Sequence, residues 1–213
     1  MARNENPPFQ RGETYGTTDA TVGKQYEGKE YVFEDVSPLT GLVRSNRYVK
    51  CRIIRNVSTV ALRAKGAVRM KLGAGATVFG SQSDGYGAGL AARVGAERVY
   101  LVDEYLTAGC PVNDLCFIVI EGPALATTPL DNMGEDIAVG DRLALAQTAA
   151  ATTGTTGGRV EAIVAANLVN NTDMNATTQA EFTNSFLNQI GLAMSAALTN
   201  STSADILVDV GKW

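Results

Sequence analysis

Leu115–Ala126 reads LCFIVIEGPALA. Its first six residues form an unbroken apolar run with β-branched members. That is the pattern of a strand covered on both faces, because a half-wet strand would alternate. Glu121-Gly122-Pro123 then predicts a turn, since glycine and proline punctuate regular structure.

Outward from this run the pattern stays β. In Tyr48–Ile53 the residues Val49, Cys51 and Ile53 alternate with Tyr48, Lys50 and Arg52. Val68, Met70 and Leu72 alternate with Arg69 and Lys71. Both predict strands with one buried and one wet face. Leu72–Gly95 is a glycine-rich loop region enclosing a short strand at Ala76–Phe79, and a strand returns at Arg98–Val102. Beyond the central run, Arg142–Ala146 and Arg159–Val164 form a pair joined by TTGTTGG, Thr152–Gly158, whose tip faces solvent or a neighbouring subunit. Leu192–Leu198 and Ile206–Val210 complete the strands. Thr178–Ile190 is the one helical candidate, with Phe182, Phe186 and Ile190 on one side and an Asn/Thr-rich start suited to an N-cap.

Residues 1–29 are polar and carry no hydrophobic period, so they are expected to form an extended arm, disordered until it meets a neighbour. The expected fold class is mainly β: a β-barrel or β-sandwich with an extended N-terminal arm and one short helix near the C-terminus. The expected organisation is an arm over 1–29, a β-rich region with basic strands over 30–106, and a β-barrel domain over 107–213.

Composition narrows the chemistry. The 213 residues are 45% hydrophobic and 19% charged, a globular balance. There is no histidine, so a Ser-His-Asp triad, a Cys-His pair and a histidine-bearing zinc site are all excluded. The cysteines Cys51, Cys110 and Cys116 lack C-x-x-C spacing and read as reduced, buried thiols of a protein made in a cytoplasm. MARNENPPFQRGET opens the chain without an apolar h-region, so no secretory signal is expected. No apolar run approaches the ~18 residues of a membrane span.

The short motifs fail on spacing. GTTDATVGKQ, Gly16–Gln25, separates its glycines by six residues instead of four, and Gln25 replaces the magnesium-holding hydroxyl. GAGLAA, Gly87–Ala92, has no βαβ context. Asp103-Glu104 is a poor acid/base dyad if it lies on a strand, because strand neighbours point to opposite faces. No cofactor or metal is expected.

Charge is the sharpest signal. No acid occurs from Val36 to Ser83, while nine basic residues do: Arg44, Arg47, Lys50, Arg52, Arg55, Arg63, Lys65, Arg69 and Lys71. The rest of the chain holds the other nine basic residues and all 22 acids. Two readings follow. The basic strands either pair with acidic strands of the same fold, or present a face to an acidic partner. Under the second reading Arg44, Arg47, Lys50, Arg52, Arg63, Lys65, Arg69 and Lys71 are the candidate binding residues. Nucleic acid is the weaker partner: the chain is acidic overall, and the stretch holds only Tyr48 and Phe79 for base stacking.

EYVFEDVSPLTGLVRSNRYVKCRIIRNVS (Glu30–Ser58), YLVDEYLTAGCPVNDLCFIVIEGPALA (Tyr100–Ala126), AVGDRL (Ala138–Leu143) and ADILVDVGKW (Ala204–Trp213) resemble the small β-rich decoration, or cement, proteins of tailed-bacteriophage heads. The resemblance covers Glu30–Trp213. It implies a trimeric β-barrel or β-sandwich that binds the outside of an expanded icosahedral shell and stabilises it. The partners would be the major capsid protein and neighbouring copies in a homotrimer, and the location the outer capsid surface after synthesis in the host cytoplasm. No enzymatic activity, membrane or direct nucleic-acid contact is implied. The alternative is a host- or carbohydrate-binding β module of a virion surface. The 7% aromatic content disfavours it, since sugars stack on rings.

Overall fold

A computed structural model describes residues 6–16, 23–71, 80–86, 99–128, 136–145, 158, 160–163, 189–197 and 205–211. Within them lie ten strands: β1 (Glu30–Val36), β2 (Val43–Asn56), β3 (Ala67–Met70), β4 (Gln82–Gly85), β5 (Val99–Val102), β6 (Leu115–Thr127), β7 (Arg142–Leu145), β8 (Val160–Ala162), β9 (Gln189–Ala193) and β10 (Asp205–Val210). The protein is mainly β. Its hydrogen-bonded order is β1-β2-β4-β3-β5-β6-β10-β9-β7-β8, and β2 also pairs with β6. The five strands β2, β4, β3, β5 and β6 therefore close into a ring. All of its pairings are antiparallel except β2–β4, which is parallel.

β6 organises everything. Leu115, Phe117 and Val119 enter one apolar cluster, together with Val49, Cys51, Ile53 and Leu101. Cys116 and Ile118 enter a second, together with Ile54, Val68, Met70 and Val102. Successive side chains point to opposite faces, and here both faces are core. This is why the run is continuously apolar. β3 shares that position. All four of its residues are buried, Arg69 included, so the expected wet face of Val68–Met70 is a second covered face.

The expected turn at Glu121–Pro123 is a bulge inside β6. Lys50 faces Glu121 and Cys51 faces Val119, so Ile120 is the extra residue. Gly122 has φ +100°, and a Cβ there would lie 2.5 Å from the Tyr48 carbonyl. Pairing with β2 ends at Glu121, and pairing with β10 begins at Gly122. Pro123, without an N–H, thus falls where β6 has one neighbour only, which a sheet tolerates. The bulge bends β6 out of the ring and into the β10-β9-β7-β8 layer.

The described part of the expected arm, residues 6–16 and 23–29, is not free. Phe9 is buried, its ring 4.9 Å from that of Phe117. Tyr15 and Leu115 exchange backbone hydrogen bonds of 3.0 and 3.1 Å. Glu27 is buried beneath Arg55. Single aromatic and charged anchors hold this segment, and such anchors leave no periodic trace in the sequence.

The β7–β8 pair forms as expected. Gly158, expected near an exposed tip, is buried against Tyr86 and accepts the Ala67 N–H. The strand expected at Leu192–Leu198 is β9, three to five residues earlier. There Gly191 lets the backbones of β9 and β10 approach so closely that a Cβ would lie 2.1 Å from the Asp209 carbonyl. Gln189 and Ile190 are strand, so the expected helix does not reach Ile190. Its remainder over 178–188, the short strand over 76–79, the GAGLAA motif over 87–92 and the loop tip over 152–157 lie outside the described residues. Strand pairing crosses the expected boundary at 106/107, where β6 joins both β2 and β5. No helix among the described residues is long and apolar enough to cross a membrane.

Candidate functional site

The basic strands carry their acids with them once folded. Arg44, on β2, donates to Asp35 Oδ1 through Nε at 2.8 Å, and to Glu104 through both terminal nitrogens at 2.6 and 3.0 Å. Arg47 grips Asp209 of β10 in a fork-to-fork pair. Lys50 and Arg52 share the carboxylate of Glu30 on β1. Lys65 meets Asp205, and Arg69 reaches Asp84 at 3.1 Å. Arg55, fully buried, is held by Glu27 and the Asn113 carbonyl. The backbone N–H of Arg63 donates to the Tyr86 hydroxyl. Lys71 follows β3, half-buried, with its backbone N–H on the Gln82 carbonyl at 2.8 Å.

Among the described residues, at least six of the eight candidates thus sit in ion pairs within the chain. Their partners come from outside the acid-free stretch, up to 162 residues away. The structure brings Lys50 and Arg52 together, as their spacing predicts. It sends Arg47 to a different strand.

The densest charge cluster was not legible in the sequence. Asp103 and Glu104 follow the end of β5, where strand alternation no longer applies, and they converge. Asp103 Oδ1 accepts from Arg11 Nε and Nη2 at 3.0 and 2.7 Å, and its Oδ2 accepts from the Gly12 N–H at 2.8 Å. Glu104 accepts from Arg44 and from the Leu125 N–H at 3.0 Å, with Arg11 Nη2 3.7 Å away. Tyr105 covers Arg11, its ring centroid 4.4 Å from the guanidinium, and donates its hydroxyl to the Val36 carbonyl. Burial opposes the charge on Arg11, but Cys51, Asp103 and Glu104 outweigh it, and its pKa lies above the ordinary value. Arg44 is likewise raised: burial opposes its charge, and hydrogen bonds from Glu104 and Asp35 overcome that. Both carboxylates spend their lone pairs on fixed donors, which suits them to holding segments together.

No protein-family model, curated protein or solved structure matches this chain.

Among the described residues no group of three or more His, Cys, Asp or Glu side chains is placed to hold a metal ion. Cys51, Cys110 and Cys116 are all buried and unbridged, and burial pushes the Cys51 thiol up to about 12. Asn56, which opens a glycosylation-type sequon, is fully buried, its amide donating to the carbonyls of Val60, Cys110 and Pro111.

Among the described residues, the β1–β2 hairpin carries most of the exposed large apolar side chains. Leu39 is 85% exposed, Leu42 69% and Val43 60%, while Val32 and Tyr48 stand out on the stem. The register places Val32 opposite Lys50 and Glu34 opposite Tyr48, so Val32 and Tyr48 are diagonal neighbours on one face. The sequence signal for this tip was available in SPLTGLV, a turn-rich stretch between two strands that nevertheless carries two leucines and a valine.

Proposed function

We propose that this chain is a structural virion protein that binds the outer surface of a tailed-phage capsid and stabilises it. In this reading the closed ring of strands is a β-barrel core, three copies associate, and the partner is the major capsid protein. The observation that carries the proposal is the use made of charge. Buried ion pairs tie the N-terminal segment, the hairpin and the central strands into one body, and an apolar-tipped hairpin is left standing outside it. A protein that reinforces a shell needs a rigid body and a contact surface. The resemblance of the Glu30–Trp213 segments to head-decoration proteins points the same way.

The basic candidates divide within this reading. Arg47 and Lys50 have side chains 37% and 40% exposed, and they reach far enough outward to face an acidic shell surface while keeping their internal partners. Arg44 and Arg69 are too enclosed to do so.

The test is to incubate the purified protein with expanded shells assembled from the major capsid protein of the phage that encodes it. Saturable binding at a fixed ratio and a raised shell melting temperature are expected. Absence of binding at saturating protein overturns the proposal.

A further inference from the structure

We propose that the N-terminal segment, residues 6–16, locks the tip of the β1–β2 hairpin in place through a chain of five charges of alternating sign. The tip needs a lock because the ladder below it is broken. Glu34 pairs with Tyr48 but Val36 pairs with Val43, so Asp35 alone stands opposite Arg44, Ser45, Asn46 and Arg47. Extra residues in one strand disrupt the ladder and bend the strand. Beyond this neck the tip closes on itself. Ser37 N–H donates to the Leu42 carbonyl at 2.8 Å, and Gly41 N–H to the Ser37 carbonyl at 2.9 Å. The tip is thus a preformed unit on an irregular neck, and side chains set its orientation.

The charges run in sequence through space. Asp103 Oδ1 lies 2.7 Å from Arg11 Nη2, which lies 3.7 Å from Glu104 Oε1. Glu104 Oε1 lies 2.6 Å from Arg44 Nη2, which lies 2.6 Å from Asp35 Oδ1. Both ends are fixed: Asp103 also accepts from the Gly12 N–H, and Asp35 from the Ser45 hydroxyl, each at 2.8 Å. Tyr105 follows Glu104. Its ring covers Arg11, and its hydroxyl holds the Val36 carbonyl at the root of the tip. All three carboxylates are buried, so salt screens these contacts little.

Taking Arg11 away leaves three carboxylates around one guanidinium. Asp103 and Glu104 are neighbours in sequence, so neither shifts alone. Arg44 is drawn toward this unneutralised pair and away from Asp35, and Tyr105 loses the cation beneath its ring. Both holds on the neck weaken. The coupling is reciprocal, so removing Arg44 loosens the N-terminal segment in turn. Contact of the tip with a shell then depends on docking of the N-terminal segment, and only this consequence rests on the decoration reading.

The experiment reads the tip without shells. Leu39 and Val139 are exposed and the native cysteines are buried, so spin labels on Leu39→Cys and Val139→Cys report one distance by pulsed dipolar spectroscopy. The chain with Arg11 in place should give a narrow distance distribution, and Arg11→Met a broad one. Hydrogen exchange over residues 43–48 should accelerate roughly 10–100-fold relative to the β6 amides, the factor for one lost charge-assisted hydrogen bond. In the reciprocal arm, Arg44→Met should accelerate exchange of the Gly12 and Tyr15 N–H groups to a similar degree. Arg47→Met, whose partner Asp209 lies outside the charge chain, should do neither. Glu104→Gln keeps the side-chain shape and removes the middle charge, so it decides the matter if a methionine variant fails to fold: tip and N-terminal segment should loosen together. A distribution that stays narrow in Arg11→Met, or an N-terminal segment unmoved by Arg44→Met or Glu104→Gln, overturns the proposal. Failure of the wild type to bind shells refutes the decoration reading and leaves these distances and exchange rates as they are.

Discussion

Replacing Arg11 with methionine tests whether the N-terminal segment belongs to the fold. The side chain is 7% exposed and lies against Asp103, itself 1% exposed. Methionine keeps most of the apolar stem and removes the guanidinium. Asp103 then loses two charge-assisted hydrogen bonds and keeps one, from the Gly12 N–H. Bonds to charged groups contribute about 1.5–3 kcal/mol each, and breaking one side of a buried pair typically destabilises by about 3–5 kcal/mol. Recovered packing of the methionine offsets part of this, so a loss of about 3 kcal/mol is expected.

For a chain of this size about 1 kcal/mol moves the melting point by ~2–4 °C, which makes the expected fall roughly 6–12 °C. Calorimetry or circular-dichroism melting at neutral pH reads it. The control is Arg47→Met, whose pair with Asp209 is partly exposed and is worth only about 0–1 kcal/mol. Equal melting points for the two variants would refute the placement of Arg11. So would removal of residues 1–16 without loss of stability.

Three further outcomes are expected. Glu30 is pushed up by burial but pulled further down by hydrogen bonds from Lys50 and Arg52, so its pKa lies below 4.5 in the folded chain. The stability it supplies is present above its unfolded pKa and is lost as pH falls through the folded one. The melting-point gap between wild type and Glu30→Gln, worth about 0–1 kcal/mol at this exposure, should therefore close between pH 5 and 3, read in parallel melts. Cys51, raised to about 12 from an ordinary 9.0, keeps its proton when folded, so its contribution is full below about pH 9 and falls as pH climbs toward 12. A chromogenic disulfide reagent at pH 8 should find no reactive Cys51 until denaturant is added. Gly191→Ala forces a methyl group against the Asp209 carbonyl and should lower stability by about 1–3 kcal/mol or more, measured by urea titration, with Ala193→Gly as a comparison that adds no bulk.

The sequence alone determined what is local. The apolar run Leu115–Ile120 specified a strand covered on both faces, because no alternating pattern fits it. Val49, Cys51 and Ile53 marked the inward face of β2, β8 and β10 were legible from β-branched residues between turn signals, and β7 as the partner of β8 across the TTGTTGG loop. Tertiary structure decided the rest. Glu121-Gly122-Pro123 became a bulge, since a second layer was waiting to pair with the strand beyond it. Phe9 became core, Arg11 a clamp and Tyr15 a backbone bridge through partners about a hundred residues away, a separation that leaves no period to read. The basic stretch was legible as a group of charges, but its neutralisation was not. Coulombic pairing depends on distance in space, and the acids that meet Arg44, Arg47 and Lys65 arrive from β1, the end of β5 and β10. The exposed tip at Leu39 and Leu42 was likewise settled only by the fold, because burial belongs to the packed chain and not to the residue.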